Sequence, residues 1–140
     1  LTRYNESAPE FSPDGRFIAY ESNETGQQLD VYVRPYPEVN PSTRISTYGG
    51  RSTRWGLDGR ELIYKVGGRL MVVDIETDTD LSPGAPRELF QGPYDRYYDP
   101  APDGRSFVMI RVMEDGDPPL RFNFIANWFE DLKRLASARQ

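Results

Sequence analysis

The side chains best suited to covalent chemistry are missing, for the sequence holds no His and no Cys. Ser–His and Cys–His nucleophilic machinery is therefore excluded within the chain, and so is zinc held by His or Cys. Gly50-Arg51-Ser52-Thr53-Arg54 comes near a nucleophile elbow but lacks both the closing Gly and the base. Gly49-Gly50 reads as a turn, and no phosphate-binding loop is present. Carboxylates are plentiful, with 22 Asp and Glu, so composition alone admits a paired-carboxylate hydrolase. Asp14, Asp58 and Asp103 are its obvious candidates, yet all three stand in the same short motif. A catalytic pair needs two differing environments, whereas a turn residue recurs because the turn recurs. We read them as structural. Glu114-Asp115-Gly116-Asp117 has the acidity of a calcium loop without the remaining ligands in register, and reads as a solvated loop. No catalytic residue, metal or cofactor is expected.

The elements that position these residues come from an internal repeat. Ser12-Pro13-Asp14-Gly15-Arg16-Phe17-Ile18-Ala19-Tyr20 shares its frame with Gly56-Leu57-Asp58-Gly59-Arg60-Glu61-Leu62-Ile63-Tyr64 and with Ala101-Pro102-Asp103-Gly104-Arg105-Ser106-Phe107-Val108-Met109. The Asp residues lie 44 and then 45 residues apart, a period that belongs to four-stranded propeller blades. Each Asp-Gly predicts a tight hairpin turn with Gly at positive φ. The apolar run after it (Phe17 to Tyr20, Leu62 to Tyr64, Phe107 to Ile110) predicts a strand covered on both faces. Third strands are expected over Asp30 to Val33, Leu70 to Asp74 and Phe122 to Ala126, with Gly67-Gly68 as a two-residue turn. Fourth strands are expected over Thr43 to Ser46 and Arg87 to Phe90. The third unit instead runs into a helical pattern of Trp128, Phe129, Leu132 and Leu135, capped by Asn127. The expected fold is all-β, a single domain of three blades over about 5–46, 47–92 and 93–126, with a C-terminal helix at about 128–136.

Composition agrees with a globular chain of one domain. Of 140 residues, 37% are apolar and 28% charged, and 12 Gly with 12 Pro favour short elements joined by turns. The net charge of −5 repels a phosphate backbone, so nucleic acid is not an expected partner. No stretch approaches the roughly 20 apolar residues that span a bilayer, and no signal peptide is read. The sequence begins at Leu1 rather than Met, as a piece or a processed product would.

The Ser-Pro-Asp-Gly-Arg hairpin with its apolar strand resembles the repeat of TolB-like propellers, without the Gly-His and Trp-Asp marks of WD-type blades. Asn127-Trp128-Phe129-Glu130-Asp131-Leu132-Lys133-Arg134-Leu135 is similar to the tail of bacterial TolB-like repeat regions, including those attached to protein kinases. Gly56-Leu57 and Ala101 depart from the motif but leave the Asp-Gly turn intact. The resemblance implies a β-propeller used for protein contact or ligand sensing, with no catalytic set to carry over.

Propellers usually close with 4–8 blades, so three blades belong to a longer propeller or to a six-bladed ring closed by two copies. In the second case the segment Leu1 to Tyr4 would add as a strand to the partner's last blade. A binding surface is expected where loops enter the innermost strands, at Asn5 to Ala8, Tyr48 to Thr53 and Tyr94 to Tyr98. These bring Glu6, Arg51, Tyr94, Arg96 and Tyr97 to one rim, and Arg and Tyr are common interface anchors. The expected function is non-catalytic binding of a protein or peptide, including a second copy of the chain. The alternatives are an accessory propeller of a hydrolase or kinase, and a carbohydrate-active enzyme using carboxylates at the channel mouth.

Overall fold

The computed structural model describes residues 3–38, 41–77, 81–104 and 106–112, with the backbone of a last strand at 123–125. Among the described residues every regular element is a β-strand, and the strands form three antiparallel sheets. Sheet 1 is β1 (Glu6–Phe11), β2 (Phe17–Ser22), β3 (Asp30–Pro35) and β4 (Thr43–Arg44), in that spatial order. Sheet 2 runs β5 (Arg51–Trp55), β6 (Glu61–Val66) and β7 (Arg69–Glu76); both β8 (Ser82–Pro83) and β9 (Arg87–Gln91) pair with β7. Sheet 3 is β10 (Tyr94–Pro100), β11 (Phe107–Arg111) and β12 (Asn123–Ile125). The helix expected over 128–136 lies outside the described residues.

The repeated hairpins are four-residue loops rather than the tighter turn expected. Gly15 N–H donates to Ser12 C=O at 2.8 Å, Gly59 to Gly56 at 3.0 Å and Gly104 to Ala101 at 2.9 Å. The glycines take φ of +71°, +70° and +62°, which a side chain would resist. Each Asp caps its own loop: the N–H of Arg16 donates to Asp14, that of Arg60 to Asp58 and that of Ser106 to Asp103, all at 3.0 Å. Asp14 also accepts from Ser12 Oγ at 2.6 Å and Arg16 Nε at 2.7 Å. The Ser12 hydroxyl first, then the Arg16 amide and guanidinium, hold the Asp14 carboxyl down to about 2. A lowered carboxyl stabilises the fold above its unfolded value and loses that contribution as pH falls through the folded one. Carboxyl NMR should therefore find Asp14 titrating near 2, and Ser12→Ala should move it up toward 3.8. An unchanged midpoint in that variant would show that the hydroxyl does not hold it.

Sheet 2 is sandwiched. From β6, Leu62 and Tyr64 point into a core with Phe17, Ala19, Val31 and Val33 of sheet 1, while Ile63 points into a second core with Tyr98, Phe107 and Met109 of sheet 3. Strand alternation thus buries both faces of one apolar run, as its composition predicts. Trp55 closes the first core, its Nε1 donating to the Glu10 carbonyl at 3.3 Å.

The repeat also sets charge across the sheets. Glu10, Arg54 and Asp99 occupy one repeat position on the first strands β1, β5 and β10, spaced 44 and 45 residues apart. They form a ladder, with Arg54 Nη1 at 3.4 Å from Glu10 and Nε at 3.1 Å from Asp99. A second position holds Glu21 and Lys65. Glu21 accepts the Ser52 N–H of sheet 2 at 2.7 Å, and Lys65 donates to two carbonyls of sheet 3. One register position therefore tethers each sheet to the next, with the sign of the charge inverted.

Candidate functional site

The first strands of the three sheets start earlier than the sequence suggests, because segments read as loops are already paired. Each strand carries a register shift near its start: Ser7 to Glu10, Arg51 to Arg54, and Tyr94 to Tyr98. At the shift, Ala8 and Ser52 sit at φ of +50° and +55°, a costly conformation for residues with a side chain. The bulge re-aims the side chains beside it. Arg51 and Arg96, which share one repeat position on β5 and β10, line a single cleft of about 450 Å³.

The floor of this cleft depends on Gly49 and Gly50. Gly49 takes φ of +83°, and a Cβ on Gly50 would lie 2.7 Å from Val31 Cγ2 and 2.9 Å from a Tyr64 ring carbon. Only glycine lets the chain pass this close to the first core. Tyr48 stands over the opening with 81% of its surface exposed.

Lys65 is the residue that sequence reasoning missed. It is buried, and its ammonium donates to the carbonyls of Tyr94 at 2.7 Å and Asp95 at 2.6 Å. Burial lowers its pKa, with the Asp95 charge pulling the other way. Arg51 lies directly opposite Lys65 in the β5–β6 pairing. The described lining of the cleft includes three cations and no carboxylate side chain.

Ser52 and Lys65 share the cleft but make no hydrogen bond to each other. The ammonium is already committed to two carbonyls, and a lysine donating both ways keeps its protons rather than taking one from a hydroxyl. A Ser–Lys nucleophile is not assembled.

The other expected residues divide. Tyr94 lines the cleft and packs its ring edge-on to Phe90 at 5.8 Å. Tyr97 lies outside the lining and steadies Arg96, accepting from its guanidinium at 2.7 Å with its ring 4.8 Å away. Glu6 does not join them. It lines a groove on the outer face of sheet 1 with Ile18, Tyr20 and Arg34, because its repeat position is that of Gly50 rather than Arg51.

A second cleft of about 480 Å³ lies at the opposite end of sheets 2 and 3, lined by the Asp58 and Asp103 turns together with Glu61 and Asp74. Arg87 bridges the last two, at 3.3 Å from Glu61 and 3.0 Å from Asp74. Burial raises the Glu61 carboxyl, with Arg87 opposing. Asp58 and Asp103 cap loops here as their spacing implies. Among the described residues no group of acidic side chains is placed to hold a metal ion, and no helix is long and apolar enough to cross a membrane.

Compared with known proteins, the sequence matches no family model and no curated protein.

Proposed function

We propose that the chain is a run of propeller blades of the TolB-like type, acting as a non-catalytic module that binds a protein or peptide at the Arg51–Arg96 cleft. Three units of similar strand order, stacked face to face at a period of 44 to 45 residues, support the blade reading. The observation that carries the binding reading is the cleft. Ser52 at φ of +55° and the glycine-dependent packing carry a stability cost there, and such costs concentrate where a surface serves recognition. Panning a displayed peptide library against the chain, with Arg51→Ala/Arg96→Ala as counter-screen, tests it. Binders that lose the variant support the reading. Recovery of binders indifferent to the variant, or of none, defeats it.

A second reading, self-association, is favoured by the outer face of sheet 1. Phe11, Ile18 and Tyr20 stand at the repeat positions of Trp55, Leu62 and Tyr64, which sheet 1 covers. Phe11 is 52% exposed and makes a T-shaped contact with Tyr36, with ring centres 5.0 Å apart. A face built like a covered one invites a further sheet, from a second copy or from a longer propeller.

A further inference from the structure

We infer that the Arg51–Arg96 cleft selects peptide segments by their carboxylates; the inference rests on the binding function proposed above and names its ligand chemistry. The two arginines occupy the same repeat position on β5 and β10, the first strands of two neighbouring sheets. The repeat thus sets two guanidinium groups on the lining of one cleft. Arg16, Arg44, Arg54, Arg69 and Arg87 each have a carboxylate partner in the fold. Arg51 and Arg96, like Arg34 and Arg60, have none among the described residues, but these two line the same cleft, although the chain carries five more acidic than basic side chains.

The cations are also held for use. Tyr97 fixes Arg96 through its hydroxyl and its ring face. The two backbone carbonyls pin Lys65 inside the cleft, across the strand pair from Arg51. A planar carboxylate matches the guanidinium fork in a bidentate pair. Tyr48, exposed beside the opening, offers an aromatic face to a residue flanking the acid.

The test is an amide-resolved NMR titration of the 140-residue chain with three peptides. They are Glu-Glu-Tyr blocked at both ends, Gln-Gln-Tyr blocked at both ends, and Gln-Gln-Tyr with a free C-terminus. Blocked Glu-Glu-Tyr should shift Gly50, Ser52 and Arg96 saturably, and blocked Gln-Gln-Tyr should bind about tenfold more weakly, the worth of one charge-assisted pair. Arg51→Gln and Arg96→Gln should each weaken the acidic peptide about fivefold or more, while Arg60→Gln at the far end should not. Unchanged amide dispersion certifies that each variant is folded. If the free-terminus peptide alone matches the acidic one, the carboxylate read is a chain end, and the selection stands. Equal binding of both blocked peptides at these residues would overturn the carboxylate inference and leave peptide binding intact. No shift with any peptide would overturn both.

Discussion

Replacing Asp30 by alanine should cost the fold about 3–5 kcal/mol, the range for removing one member of a buried charged network. Asp30 is only 1% exposed, yet its carboxylate is fully used. One oxygen accepts from Ser46 Oγ at 2.9 Å and from Gly49 N–H at 3.0 Å; the other takes Thr25 Oγ1 at 2.8 Å and Arg44 at 2.9 Å. These contacts tie β3, β4 and the loop that forms the cleft floor to a single point. Burial pushes the carboxyl up, but the hydrogen bonds from Thr25, Arg44 and Ser46 and the Arg44 charge outweigh it and hold it below 3.8. Its contribution is therefore complete at neutral pH and lost as pH falls through the lowered folded value. Urea unfolding followed by circular dichroism should place Asp30→Ala well below the parent at pH 7, with the gap narrowing in acid. Asp30→Asn, which keeps an acceptor but loses the charge, should fall between them. A loss below about 1 kcal/mol at pH 7 would mean that water replaces all four partners.

Leu62→Ala should cost about 3 kcal/mol, within the range for emptying a leucine-sized volume in a closed core. Ile18→Ala, at the equivalent repeat position, should cost under about 1 kcal/mol in the monomeric chain. Leu62 is completely buried against sheet 1, while Ile18 is half-buried on a face that no described sheet covers. The two substitutions remove similar chemistry from the same place in two repeats, so their difference measures what a covering sheet contributes. Chemical unfolding at low and high protein concentration reads it. Equal costs at low concentration would show that the outer face of sheet 1 is already packed, and a cost for Ile18→Ala that grows with concentration would show a second copy doing the packing.

The turns were the most legible part of this fold. A loop that needs Asp to cap it and Gly at positive φ leaves the same pair of letters wherever it occurs, and Asp14, Asp58 and Asp103 are that signature. The Gly67-Gly68 hairpin was readable for the same reason, since Val66 and Arg69 pair directly across it. Strand ends were less so: the third strand of the second unit runs past Asp74 through the buried Ile75 to Glu76 and gains an extra partner in β8, where Ser82-Pro83 reads as a turn. Of the cleft, Arg51, Tyr94 and Arg96 were placed by counting strands. Lys65 was hidden because a lysine beside an apolar run reads as a solvated strand end. Its partners are backbone carbonyls 29 and 30 residues away, which leave no letter in the sequence. Glu6 was misplaced because Ser7, not Glu6, holds the repeat position of Arg51, and a one-residue change of phase moves a side chain to the other face.

The Glu10–Arg54–Asp99 ladder has a parity. Across the three sheets it runs negative, positive, negative, so the run of sheets carries the same sign at both of its ends. If the proposed self-association sets a copy against each end, carboxylate meets carboxylate at each seam, and assembly would tighten as salt screens the repulsion. Joined to a sheet that offers Arg or Lys at that position, the run would continue the alternation and loosen in salt. The ionic-strength dependence of any assembly therefore distinguishes the proposed pairing of identical copies from completion by sheets of a different sequence.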